Sequence, residues 1–244
     1  MSRDEIYRND GDLPDRPSPF EFSEQVVRVF PDMIECSVPG YRLLLELTPL
    51  VVARAVRSGT CIYDLGCSLG ASTLAARRAV RAADVDIVAV ESSPEMVARC
   101  RDVIAADNSR VPVEVREADI RDVGIANASV VLVYFTLQFV PSAECDALIR
   151  RIRAGMADGG VLLLAEKLAF EPESTQRWLD QHHRDFKRMQ GYSDLEIARK
   201  RQALENVLVP DSHQTHHRRL KEAGFDQVID WFQSLNFACI AAVR

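Results

Sequence analysis

Three observations predict an α/β fold: a doubly wound, mostly parallel seven-stranded sheet with a helical insertion before its last two strands. Strand and helix candidates alternate through the first two thirds of the 244 residues. The strand candidates are continuously apolar, as expected of a sheet covered on both faces. The last two strands are joined by so short a link that they must run antiparallel, because a parallel crossover needs about a dozen residues.

Each element has a local reason. The pair Pro39-Gly40 forms a turn, and a helix is expected over 40–56. Residues 60–65 are β-branched and apolar, the first strand, and the Ala-rich stretch 71–83 is the helix that follows it. Residues 86–90 form the second strand, ending at Glu91. Ser93 is a fitting N-cap for a helix over 94–106, with Pro94 at its first position. A third strand is expected over 111–115, a fourth over 129–135, a helix over 143–154 and a fifth strand over 160–165, after the turn Asp158-Gly159-Gly160. Residues 172–209 read as a polar, largely helical insertion interrupted by Gly191. The closing strands run from Gln227 through Phe232 and over 237–243.

The chain reads as a polar, Pro-rich, mobile lead-in over 1–22, without the apolar region of a secretory signal, followed by a single domain over 23–244. With 47% hydrophobic and 27% charged residues, a mostly disordered chain is excluded. The balance of 30 Lys and Arg against 36 Asp and Glu, net −6, argues against a protein built on nucleic-acid phosphates. Residues 177–221 nevertheless hold 10 Lys and Arg against 6 Asp and Glu, a locally positive insertion in an acidic chain. No apolar run approaches the roughly 18 residues of a membrane span. The six cysteines (36, 61, 67, 100, 145 and 239) form no CxxC pair, which fits reduced thiols in the cytoplasm and no structural zinc.

The turn Asp64-Leu65-Gly66-Cys67-Ser68-Leu69-Gly70 lies between the first strand and its helix, where backbone N–H groups and a helix N-terminus can meet a ligand. Its plain alternative is a tight turn with no ligand. A dinucleotide turn would carry a glycine at Ser68. Glu91, at the end of the second strand, is placed to accept the two hydroxyls of a ribose, and Asp119, after the third strand, the amino group of adenine. Three ligand-competent features at successive strand ends favour a nucleoside site over three unrelated loops.

The segments Val29-Phe30-Pro31-Asp32-Met33-Ile34, Ser37-Val38-Pro39-Gly40-Tyr41, Tyr63 to Ala71, Phe135-Thr136-Leu137-Gln138-Phe139, Gly191-Tyr192-Ser193-Asp194-Leu195-Glu196-Ile197 and Leu204-Glu205-Asn206-Val207 stand out. Together they resemble the carboxy-S-adenosylmethionine synthase family. The likeness runs from about Phe20 to the last strand and includes the insertion. It implies a class I, Rossmann-like methyltransferase fold that transfers no methyl group. S-adenosyl-L-methionine (SAM) and prephenate would give carboxy-SAM and phenylpyruvate in the cytoplasm, without a metal. A separate tRNA carboxymethyltransferase would use the product to complete 5-oxyacetyl uridine at the wobble position. The resemblance also implies a homodimer; the acidic balance argues against direct tRNA binding, and the short apolar runs against a membrane.

By position, the family's ligand contacts fall on Tyr41, Gly66, Cys67, Ser68, Glu91, Ser92, Asp119, Ile120 and Tyr134. Arg201 matches the arginine that holds the new carboxylate, the expected catalytic contact; a guanidinium binds a carboxylate bidentately. Its alternative is a solvated helix face of Arg199, Lys200 and Arg201. The chain departs from the family pattern at Tyr134 and Ser92, where asparagine is usual, and at Glu91, where aspartate is. A phenol cannot donate like an amide, so Tyr134 leaves a reshaped contact or a divergent activity open.

Two further signals are set aside. The histidines His182, His183, His213, His216 and His217 read as a surface cluster; the last three have helical spacing, but no acid completes a metal set locally. Cys67, at a helix N-terminus, could carry a lowered pKa, yet it reads as a turn residue presenting its backbone. An ordinary SAM-dependent methyltransferase and a non-catalytic SAM-binding scaffold remain the competing readings.

Overall fold

The computed structural model describes residues 24–244 apart from 205 and 206. The lead-in over 1–22 and the Glu205-Asn206 pair of one family-like segment therefore lie outside the described residues. Two helices open the chain, α1 (Glu24–Glu35) and α2 (Tyr41–Ala55), and β1 (Cys61–Leu65) follows. Alternation then gives α3 (Ala71–Ala79), β2 (Asp86–Glu91), α4 (Pro94–Ala105), β3 (Val113–Glu117), β4 (Ala128–Tyr134), α5 (Ser142–Gly155) and β5 (Met156–Lys167). A 3-10 turn, Leu137–Phe139, lies between β4 and α5. The insertion supplies α6 (Glu173–Met189) and α7 (Asp194–Leu204), and the chain closes with α8 (His213–Glu222), β6 (Gln227–Ser234) and β7 (Phe237–Val243).

The seven strands form one sheet in the order β3-β2-β1-β4-β5-β7-β6. β7 is antiparallel to both of its neighbours, and all other neighbours pair parallel. Alternate side chains of each strand enter opposite cores. Ile62, Val130 and Leu132 join Leu44 and Val52 of α2 on one face. Tyr63, Leu65, Val131 and Val133 join Leu148, Ile149 and Ile152 of α5 on the other. Both sets are buried, which is why the strands read as continuous apolar runs. Each such side chain taken from water contributes about 1.5–3 kcal/mol.

The capping expectation at α4 holds: the Ser93 side chain accepts from the Met96 N–H at 3.3 Å, with Pro94 at the first position. β3 begins two residues later than the sequence pattern suggests. The buried Arg77 of α3 takes the carbonyls of Ser109 and Val111, at 2.8 and 2.7 Å, and pins that stretch as a loop. Pairing with β2 then starts at Val113. No helix among the described residues is long and apolar enough to cross a membrane.

Candidate active site

The carboxyl ends of β1 to β5 share one edge of the sheet, and strand order reverses between β1 and β4. That reversal is where a crevice opens in such folds, and a cavity of about 430 Å³ lies there. Tyr41, Gly66, Cys67, Ser68, Glu91, Ser92, Asp119, Ile120 and Tyr134 all line it. Arg201 does not. It is exposed on α7, although near enough to Lys167 and Lys187 to lower their proton affinity.

One end of the cavity is acidic. Asp64, fully buried at the end of β1, accepts from the hydroxyls of Ser72 and Thr73 through Oδ2, at 2.8 and 2.5 Å. Its Oδ1 has no hydrogen-bond partner, and Asp64 does not itself line the cavity, although Ser72, which holds it, does. Burial pushes this carboxyl up to about 6, against the pull of the two hydroxyls. A Cβ on Gly66 would stand 2.2 Å from Oγ1 of Thr136, so the glycine is demanded by packing as well as by its φ of +83°. Ser68 also takes a positive φ, +50°, in place of the glycine a dinucleotide turn would have.

Glu91 ties two strand ends together. Its Oε2 accepts from the Ser68 N–H at 3.0 Å, and its Oε1 from the N–H groups of Ser92 and Ser93, at 2.8 and 3.0 Å. A carboxylate has about four acceptor sites, so capacity remains for a ribose hydroxyl. Asp119 is clasped by Arg121, Oδ2 to Nη2 at 2.7 Å, and this bond holds its carboxyl below the usual range. Arg121 also reaches Glu144. Burial, then the nearby Asp64, raises the phenol of Tyr41 well above its ordinary value.

Two side chains singled out in the sequence are held by neighbours in the core, and Cys67 is the unactivated turn residue the sequence reading expects. The Tyr134 hydroxyl turns into the core and lies 2.8 Å from Oγ1 of Thr48, so the phenol is committed to α2. The Cys67 thiol is not activated. It lies 4.0 Å from the Cys100 sulfur, and that contact together with burial raises its pKa.

The opposite wall is basic and was missed in the sequence. Lys167 ends β5, His183 and Lys187 stand one turn apart on α6, and Lys200 lies on α7; all four line the cavity. His183 is buried rather than superficial. Its Nε2 donates to the Ser37 carbonyl at 2.7 Å, and its ring meets Phe237 edge-on at 5.1 Å. Burial, then Lys187, pushes it down to about 3, so it is neutral. Lys200 donates to Ser37 Oγ at 2.8 Å and stands over the Tyr192 ring. Burial, then repulsion from Lys200, Lys167 and Arg201, pushes Lys187 down to about 7. Burial also lowers Lys167. The sequence signal for Lys187 and Lys200 is the positive balance of residues 177–221; Lys167 lies outside that segment.

The histidines of α8 also depart from expectation. His216 is buried, and Asp230 of β6 supplies the acid that sequence proximity does not. Its Oδ1 accepts from Nε2 of His213 and of His217, at 2.7 and 2.9 Å, and this half-buried cluster does not line the cavity.

A methyltransferase-domain family matches residues 62–160. The carboxy-S-adenosyl-L-methionine synthase of Geobacter metallireducens is 50% identical over 226 residues, covering 92% of this chain and 93% of the relative. That of Photorhabdus laumondii is 49% identical over 225 residues, covering 92% and 89%. Human N-acetylserotonin methyltransferase, solved in complex with SAM, superposes with a TM-score of 0.61 at 16% identity. The match covers 91% of this chain and 55% of the human one, a likeness of fold.

Proposed function

The chain belongs to the carboxy-S-adenosyl-L-methionine synthases, SAM-dependent enzymes of methyltransferase fold, and from that premise we propose that it carboxylates SAM at the expense of prephenate. Phenylpyruvate is the second product. In the proposed chemistry prephenate aromatises and releases CO2 and hydroxide. The hydroxide takes a proton from the SAM methyl group, giving water and a sulfonium ylide. The ylide carbon bonds to CO2 before it escapes, and carboxy-SAM results.

The observation that carries this reading is the reversal of charge across one cavity. Glu91 and Asp119 suit a nucleoside and a cationic sulfonium amino acid; Lys167, Lys187 and Lys200 suit an anion. A methyl donor alone needs only the acidic end. The spare acceptor sites of Glu91 fit the ribose of SAM. Tyr41, Gly66, Cys67, Ser68, Ser92, Asp119, Ile120 and Tyr134 would complete the cofactor shell, chiefly through backbone and ring surface. Arg201 would swing toward the carboxylate from the rim of α7. The enzyme would act in the cytoplasm as a homodimer, without a metal, and a separate enzyme would carry the carboxymethyl group to tRNA.

The small molecule that copurifies tests the assignment. Mass spectrometry is expected to find a carboxylated sulfonium nucleoside. SAM or S-adenosylhomocysteine alone would favour an ordinary methyltransferase instead.

A further inference from the structure

A lysine ammonium group is strongly hydrated, and burial without a counter-charge is costly. Lysines ordinarily escape that cost by snorkelling into bulk water. Here three of them, carried by β5, α6 and α7, face one cavity from separate elements. Lys200 is held by Ser37 Oγ at 2.8 Å and by Tyr192. Among the described residues, the ammonium groups of Lys167 and Lys187 meet no hydrogen-bond acceptor and no carboxylate within ion-pair distance. The acid that acts on both is Asp180, which opposes but does not cancel the loss of proton affinity, and Arg201 adds a further positive charge. His183 contributes no counter-charge, because it is a neutral ring tied to Ser37. Lys167 and Lys187 therefore bring positive charge to the cavity with no carboxylate in contact, an arrangement that an anion would stabilise.

We infer that Lys167 and Lys187, backed by Lys200, form a carboxylate-binding subsite that seats the dianionic second substrate opposite the nucleoside end of the cavity. The inference rests on the proposed function for the identity of that substrate, a dicarboxylic acid. One of its carboxylates would bridge Lys167 and Lys187. Decarboxylation would then occur beside groups that stabilise negative charge, and the carboxylate formed on the cofactor would remain within their field. Arg201 alone, exposed at the rim, is not placed to do this.

The test uses the full-length protein, its Lys167→Gln, Lys187→Gln and double variants, and Lys187→Arg. Prephenate is titrated calorimetrically into each in the presence of S-adenosylhomocysteine, which lacks the reacting methyl group. Each glutamine substitution is expected to weaken prephenate binding roughly tenfold, the scale of one charge-assisted hydrogen bond. The affinity for S-adenosylhomocysteine should stay within about twofold, and Lys187→Arg should recover most of the loss. Removing a buried charge does not threaten the fold, and retained nucleoside affinity verifies this for each variant. Prephenate affinity unchanged in the double variant would overturn the subsite. Carboxy-SAM formation by the wild-type protein is measured separately. If it fails while prephenate binding remains lysine-dependent, the function falls and the subsite stands.

Discussion

The hydroxyl of Tyr134 lies 2.8 Å from Oγ1 of Thr48, and the Thr48 hydroxyl is already 2.8 Å from the Leu44 carbonyl. Thr48 has one hydrogen, which the carbonyl takes, so the phenol donates to Thr48. The one side chain that departs most from the family pattern is thus absorbed by α2. Tyr134→Phe is expected to keep carboxy-SAM formation within about twofold and to cost about 1 kcal/mol of stability in chemical denaturation. A tenfold fall in turnover would instead put the hydroxyl in contact with the reacting molecules.

Glu91 accepts three backbone N–H groups with two oxygens. Glu91→Gln turns one acceptor into a donor that faces donors. Titration with S-adenosylhomocysteine should show a loss of affinity of roughly tenfold or more, with the fold retained. Unchanged affinity would remove Glu91 from the ribose site.

The pH dependence follows from Lys187. The groups around it are Lys167 on β5, Asp180 and His183 on α6, and Lys200 and Arg201 on α7. With the Lys187 pKa pushed down to about 7, the ammonium form predominates below that pH and is progressively lost above it. The KM for prephenate should therefore rise above pH 7, at up to about tenfold per unit, and Lys187→Arg should flatten that rise because a guanidinium stays charged. The same shift acts on stability with the opposite sign. Between pH 7 and Lys187's unfolded value near 10.5 the unfolded chain binds more protons, so this group's contribution to stability rises with pH. A KM that is flat across this range in the wild type would contradict the role of Lys187.

Arg201→Ala separates the rim from the wall. If the arginine moves in to hold the new carboxylate, carboxy-SAM formation should fall more than tenfold while S-adenosylhomocysteine affinity is kept. Unchanged turnover would leave that carboxylate to Lys167 and Lys187.

What was legible in the sequence was local. The apolar runs of β1 and β4, the glycine turn, the Ser93-Pro94 helix start and the acids at strand ends are patterns of neighbouring residues, and the fold keeps them. What was not legible depends on packing between distant segments. His182 and His183 are adjacent in sequence, yet one is exposed and the other buried against Ser37 and Phe237. Lys187 lies in a polar helix that reads as a solvated face until α6 covers the open edge of the sheet. The start of β3 depends on Arg77, more than 30 residues upstream, and the partner of His213 and His217 is supplied by β6.

The central claim is that one cavity joins a cationic nucleoside to a carboxylate taken from an anionic second substrate. Incubating the purified protein with SAM and prephenate, and weighing the nucleoside product by mass spectrometry, tests it most directly. The account predicts a prephenate-dependent product heavier than SAM by one CO2, formed together with phenylpyruvate. Well-folded protein that binds SAM and yields no such product would contradict it.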